Sequence, residues 1–246
     1  MATDPAQAGK TAAARAAVAL VRPGIRLAVG SGSTTELALQ RLVERFPEGQ
    51  GLSIVASSVR IEEVLRGLGV TPTPLTAEAT FDLMIDGADE VTPSLHLTKG
   101  GGGALFREKF LARLTRQVVI AVDDRKLVDR LGSRSPIPVE VVPFARPVLA
   151  RQLRAMGYVP RLRSADGGKS GWRTDNGNEI LDLAPATPLA DAAKTERDLR
   201  AMPGVVETGI FVGLAHRVVV GRADGTVREL PSGQPQRPGG FGPRRA

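Results

Sequence analysis

Short apolar runs alternate with longer segments of helical period along the first half of the chain, and this alternation sets the expected fold. Residues 5–21 (PAQAGKTAAARAAVALV) carry an alanine-rich helical pattern that Pro23-Gly24 interrupts. The apolar run from Ile25 to Val29 reads as a strand, emptying into Gly30-Ser31-Gly32-Ser33-Thr34-Thr35 before helical spacing resumes from Glu36 to Phe46. LSIVASS gives another strand, and VRIEEVLRGLG an amphipathic helix stopped by glycine. FDLMIDGADE is a further apolar strand that ends in acids. A four-glycine run, a helix from Ala104 to Leu114, the strand QVVIAVD and a short helix from Lys126 to Arg130 follow. Strands and helices alternating at this spacing predict an α/β fold with a mostly parallel, Rossmann-like sheet flanked by helices. Such sheets bind ligands beyond the carboxyl ends of their strands. Polar clusters stand at four of those ends: SGSTT, ASS, DGADE and VDDRK.

The texture changes after Gly132. PIPVEVVPF is a proline-bounded strand, followed by a helix from Pro147 to Met156, a strand from Tyr158, a polar hairpin (SADGGKSGWRTDNGN) and the strand EILDL. A helix from Leu189 to Met202 and the strand VVETGIF complete a β-α-β-β-α-β order, which predicts an inserted smaller α+β domain of ferredoxin-like type. The expected division is a discontinuous catalytic α/β domain over 1–132 and 208–230, to which HRVVVG returns, and the smaller domain over 133–207. Residues 231–246 are rich in proline and glycine without periodicity and read as disordered. No internal repeat is visible.

Composition narrows the chemistry. The chain of 246 residues has no cysteine and only His96 and His216, which share no ligand spacing and read as structural or surface residues. Reactive groups must therefore come from carboxylates, lysines, hydroxyls and the backbone. The net charge of +7 includes Arg237, Arg244 and Arg245 of the terminal segment. With one Trp, one Tyr and no basic run among aromatic positions, no nucleic-acid partner is expected, and the positive balance suits an anionic small molecule. The sequence shows no apolar stretch of membrane-spanning length and no signal-peptide pattern, which predicts no membrane partner and a cytoplasmic location.

The candidate chemistry gathers at the strand ends. Glycines Gly100 to Gly103 after Lys99 and ahead of a helix let backbone N–H groups approach a phosphate or an oxyanion; the plainer alternative is a loop that needs positive φ. No GK[ST] closes the run, so it is not a P-loop, which argues against a nucleotide phosphotransferase. Ser31, Ser33 and Thr34 offer hydroxyls at a helix start, either as phosphate donors or as an ordinary cap. Asp86 and Asp89, separated by Gly87 and Ala88, place two carboxylates in one turn, suited to acid–base work, to magnesium, or to a solvated turn; Lys99 nearby competes with a metal. Glu108 falls on the apolar face of its helix, with Leu105, Leu111 and Ala112, while Lys109 and Arg113 mark the polar side. Burial there raises a carboxyl pKa toward that of a general base, unless a buried cation simply pairs with it. Lys126 and Lys10 are, on residue type alone, as readily surface lysines. Trp172 in the polar hairpin reads as a packing anchor.

VGSGSTTELAL, DLMIDGADEVTPSLHLTKGGGGALFREKFLA, VVIAVDDRKLVDRLG, PIPVEVVPFA, TDNGNEILDL and MPGVVETGIFVGLAHRVVVG, in this order, closely resemble the A-type ribose-5-phosphate isomerases over about Lys10 to Glu229. The resemblance implies an aldose–ketose isomerase that interconverts D-ribose 5-phosphate and D-ribulose 5-phosphate through an enediolate, without metal or organic cofactor, as a homodimer or homotetramer. It implies Glu108 as the proton carrier between C1 and C2, and Asp86 and Asp89 as acids that contact sugar hydroxyls and assist ring opening. Lys99 with the N–H groups of Gly100, Gly101 and Gly102 would steady the enediolate oxygen. Ser31, Gly32, Ser33 and Thr34 would form the substrate loop, with Gly87, Ala88, Lys126 and Lys10 also at the substrate. The chain departs from the family's GxGTGST loop, which here reads Ala28-Val29-Gly30-Ser31-Gly32-Ser33-Thr34. A sugar-phosphate sensor on a related fold would carry an added helix-turn-helix or lack these acids, and neither feature is present in the sequence.

Overall fold

The structure, a computed structural model, describes residues 5–164 and 172–230. The proline- and glycine-rich segment 231–246 and part of the polar hairpin, 165–171, lie outside the described residues. The chain runs α1 (Pro5–Val18), β1 (Arg26–Val29), α2 (Ser33–Arg45), β2 (Ser53–Ala56), α3 (Val59–Gly67), β3 (Phe81–Asp86), β4 (Glu90–Val91), β5 (Leu97–Thr98), α4 (Leu105–Arg113) and β6 (Thr115–Asp123). It continues through β7 (Ile137–Val141), α5 (Arg146–Ala155), β8 (Tyr158–Leu162), β9 (Glu179–Pro185), α6 (Ala192–Arg200), β10 (Val205–Thr208), β11 (Ile210–Phe211), β12 (Arg217–Gly221) and β13 (Val227–Leu230).

The main sheet has the order β13-β12-β6-β3-β1-β2, and every pairing is parallel except β12 with β13. Its strands are apolar on both faces because both are covered. In β6, Val119 and Ala121 join Leu83 and Ile85 of β3 against α1, α2 and α3, while Val118, Ile120 and Val122 join Phe81 and Met84 on the opposite face with Leu111 and Ala112 of α4. Each fully buried Leu or Ile in these layers contributes about 1.5–3 kcal/mol.

A second, antiparallel sheet follows the order β10-β7-β9-β8, with α5 and α6 packed on it around Leu149, Leu153 and Leu199. This is the ferredoxin-like arrangement that the β-α-β-β-α-β order predicts. Two details depart from the sequence reading. VVETGIF is not one strand: β10 belongs to the second sheet, and β11 pairs with β5 in a small sheet of order β11-β5-β4. Gly209 makes the transfer, because its N–H bonds the Pro138 carbonyl and its carbonyl accepts from Lys99 N, leaving no room for a side chain. The strand β13 was not anticipated, although Asp224-Gly225 between apolar segments is a hairpin signal. The expected helix from Lys126 to Arg130 is instead a single 3-10 turn over Asp124–Lys126, capped by the Asp123 side chain.

The helix α1 lies flat on β6 and β12 because two glycines meet where they cross. A Cβ on Gly221 would fall 2.0 Å from the Gly9 carbonyl oxygen, and one on Gly9 would fall 2.8 Å from the Gly221 oxygen. That approach also brings Lys10 to the carboxyl end of the sheet. Gly221→Ala is expected to destabilise the protein by about 2–3 kcal/mol, as overpacking against backbone that cannot yield. Gly225→Ala, at a positive φ but with open space around it, is expected to lose only about 1 kcal/mol. Urea unfolding of both variants checks the difference.

Candidate active site

Three strand ends of the main sheet and the start of α4 converge on one cleft. After β1, Gly30 continues the ladder through its N–H to the Ile85 carbonyl, and a Cβ there would fall 1.8 Å from the carboxyl carbon of Asp86. Only glycine lets that carboxylate lie against the loop. Gly32 precedes α2 with φ of 113° and opens the helix N-terminus toward the cleft, where Ser31, Ser33 and Thr34 also lie. The Ser33 hydroxyl accepts from Lys10 Nζ at 3.0 Å. Lys126, on the turn after β6, stands in the same wall with Gly87 and Ala88.

The centre of the site is an almost wholly buried trio. Lys99, Asp86 and Glu108 are 3%, 1% and 2% exposed. Lys99 Nζ lies 2.9 Å from Asp86 Oδ2 and 3.2 Å from Glu108 Oε2, and it donates to the Gly87 carbonyl at 2.8 Å. The attraction of the Lys99 charge, and after it hydrogen bonding from the ammonium, holds the two carboxylate oxygens that face it. The other oxygens are directed: Asp86 Oδ1 accepts from Gly87 N at 2.7 Å, and Glu108 Oε1 from Ser31 N at 3.2 Å. Asp86 is not part of the cleft wall and meets it through Lys99, whereas Asp89, Lys99 and Glu108 are in the wall. Asp89 accepts from Gly101 N at 2.9 Å, and a Cβ on Gly101 would fall 2.8 Å from that carboxylate.

Two acids share one cation in a dry site, and the imbalance appears in their titration. Burial, then the Asp86 charge, push Glu108 up to about 8, with Lys99 opposing. Burial also raises Asp86, against the pull of Lys99. For Lys99 burial favours the neutral amine, but the charges of Asp86 and then Glu108 outweigh it and hold the ammonium above the usual lysine range. A base that ionises near neutrality beside a fixed cation suits proton transfer next to a developing oxyanion. Among the described residues, no group of three or more His, Asp or Glu is arranged to hold a metal ion.

The residues that the resemblance implies for catalysis and substrate binding thus meet at or directly beneath one cleft. Sequence reasoning marked the polar strand end ASS but did not name Ser57 and Ser58 as site residues, and their hydroxyls lie 2.9 and 3.0 Å from Ser31 Oγ at the end of β2. It also misassigned Lys109. That lysine is 1% exposed, not on a polar face, and its ammonium lies 2.8 Å from Glu207 Oε1 and 4.9 Å from the Phe211 ring centre. Two sides of α4 are covered, one by the main sheet and the other by β7 and β10, and the exposed side carries Phe110 and Arg113. His216 is half-buried, its Nδ1 accepting from Val118 N at 3.1 Å, and is part of the packing.

The fold and the cleft together define an α/β protein whose candidate ligand site lies beyond the carboxyl ends of a parallel sheet. Within that class, the family model for ribose 5-phosphate isomerase A (phosphoriboisomerase A) matches residues 53–225, and the chain belongs to this family. It is 46% identical to the ribose-5-phosphate isomerase A of Thermomicrobium roseum over 88% of this chain and 91% of that one. With the protein of the same name from Chloroflexus aurantiacus it shares 45% identity over 92% and 94% of the two chains. Ribose 5-phosphate isomerase A from Methanocaldococcus jannaschii superposes with a TM-score of 0.83 at 35% identity, covering 90% of this chain and 97% of the other. A D-ribose-5-phosphate isomerase solved in complex with phospho-erythronic acid superposes with a TM-score of 0.87 at 31% identity, over 92% and 99% of the two chains.

The raised pKa of Glu108 has a consequence for stability. The folded chain retains this proton up to about pH 8, while the unfolded carboxyl releases it near its ordinary value of about 4.5. The contribution is therefore fully present below about 4.5 and lost as pH rises through about 8. Glu108→Gln, which cannot ionise, is expected to be more stable than the parent by on the order of 1–3 kcal/mol at pH 9, with a smaller gain at pH 5. Thermal unfolding of both proteins at the two pH values checks the sign.

Proposed function

We propose that this chain interconverts D-ribose 5-phosphate and D-ribulose 5-phosphate through an enediolate, with Glu108 as the base. Family membership supports the isomerase reaction, and the observation that carries the mechanism is the buried Glu108 carboxyl beside Lys99 in the cleft. In this reading the phosphate docks where Lys10, Ser33, the N-terminus of α2 and Lys126 meet, since a helix N-terminus and two ammonium groups favour a dianion.

The open-chain aldose then presents C1 and C2 to Glu108. The carboxylate removes the C2 proton, the electron pair forms the C1–C2 double bond, and the aldehyde oxygen O1 takes up the negative charge. Lys99 and the Gly102 N–H stabilise that charge at fixed positions. Protonated Glu108 returns its proton to C1. The proton leaving O2 passes to O1 through Asp89, and the C2 carbonyl forms, so the product differs from the substrate only in hydrogen position. Asp86 keeps Lys99 charged and in place. The substrate-side assignments of Ser31, Gly32, Thr34, Gly87, Ala88, Gly100 and Gly101 follow the same cleft wall.

Purified protein given ribose 5-phosphate in EDTA is expected to form ketose, and in D2O to incorporate solvent deuterium at C1 of the product to the extent that protonated Glu108 exchanges with solvent before it returns its proton. Absence of ketose formation overturns the reading. Glu108→Gln is expected to keep KM within a few-fold while kcat falls by about 10³ or more, as for loss of a general base. Because Glu108 works as its anion, kcat/KM is expected to rise with pH and level off above about 8, an acidic limb that initial-rate measurements from pH 5 to 9.5 resolve.

A further inference from the structure

The glycine run is gripped from outside the cleft by a residue of the second sheet. Arg163, immediately after β8, donates from Nη1 to the Gly100 carbonyl at 2.8 Å and to the Gly101 carbonyl at 3.1 Å. Its remaining edge forks onto Asp182 of β9, through Nε to Oδ2 at 2.9 Å and through Nη2 to Oδ1. Both side chains are largely covered, at 15% and 20% exposed. The Trp172 ring closes over the guanidinium, 5.6 Å from its central carbon, and presses on Gly103, where a Cβ would fall 1.9 Å from the ring. Arg163 itself is not in the cleft wall.

Two peptide units connect this grip to the cleft. The chain has no cis peptide among its described residues, and in a trans peptide the carbonyl and the N–H point opposite ways. One unit accepts from Arg163 at the Gly100 oxygen and donates through Gly101 N to Asp89 Oδ2 at 2.9 Å. The next accepts at the Gly101 oxygen, so the Gly102 N–H points away from Arg163, and Gly102 lies in the cleft wall with Lys99 and Glu108. Glycine backbone left to itself samples many conformations. A planar guanidinium that holds two successive carbonyls and is itself forked onto a carboxylate removes that freedom, which a single-point ammonium does not do.

We propose that Arg163 is a positioning residue for isomerisation: through the Gly100 and Gly101 carbonyls it fixes the peptide units whose N–H groups hold Asp89 and face the developing enediolate oxygen. This rests on the isomerase reading above. Its effect belongs to the anionic intermediate rather than to the phosphate end, because Lys10, Ser33 and Lys126 approach the cleft on other elements.

The test uses Arg163→Met and Arg163→Lys, the latter keeping charge and chain length, with circular dichroism to establish folding. Two inhibitors serve as probes: phospho-erythronic acid, whose carboxylate places an anionic oxygen where the enediolate has one, and ribitol 5-phosphate, which carries a neutral hydroxyl there. In Arg163→Met, kcat is expected to fall by about 10- to 100-fold, the range for weakening rather than deleting an oxyanion donor, with KM changed less than about threefold. Inhibition by phospho-erythronic acid is expected to weaken by a similar factor and that by ribitol 5-phosphate to stay the same. Arg163→Lys falls between, and it alone decides the matter if the methionine variant misfolds. A folded variant with unchanged kcat overturns the proposal, as does equal loss of both inhibitors, which marks general collapse of the site. An inactive parent protein instead overturns the isomerase reading, so the two failures are distinct.

Discussion

One buried ammonium set between two buried carboxylates is the constraint on which this site depends. Removing three charges from water is unfavourable unless each is paired, and here a single cation serves two anions. The surplus negative charge is relieved by a proton on Glu108, which burial and the Asp86 charge push up to about 8. The same pairing keeps Lys99 protonated in a setting that would otherwise favour a neutral amine. In the proposed mechanism, base and electrostatic stabiliser are thus two aspects of one arrangement. Separating them would leave an unpaired buried ion.

The sheet makes that arrangement possible by bringing distant segments to one edge. Asp86 ends β3, the loop after β1 lies against it only because residue 30 is glycine, and Lys99 follows β5 in a strip of backbone held by Gly209. Each of these junctions is a close approach in which a methyl group would collide with a carboxylate or a backbone atom. The glycines at these positions therefore serve packing and electrostatics together: by admitting the neighbouring chain they exclude water, and without water the charges interact strongly.

The helix α4 carries the tension between fold and chemistry. It presents Glu108 to the cleft and Lys109, the next residue, to Glu207 of the second sheet and Phe211 of the small sheet. A surface helix has one wet face. This one lies between two sheets and has ionic partners on both sides, so consecutive charged residues are both buried. The second sheet is therefore more than an appendage: through Lys109 and Arg163 it fastens the helix and the glycine loop that carry the proposed base and anion cradle.

The amino-acid sequence by itself determined the alternation of strands and helices, the β-α-β-β-α-β order of the second sheet and the polar strand ends where the cleft lies. These are local properties: a period of two or of 3.6, a glycine after an apolar run, an acid among leucines. It also placed Glu108 on a covered face, since the residues around it on the helix are apolar. Only the tertiary structure decided that Lys109 is covered too, that VVETGIF divides at Gly209 between two sheets, that Asp86 acts through Lys99 from below the cleft wall, and that Arg163 reaches the glycine run from 63 residues away. Those facts concern which surfaces meet, and a charged residue has the same local pattern whether its partner across the fold is water or a carboxylate. The sequence pattern selects the elements, and the distances between charges arise only when the elements pack.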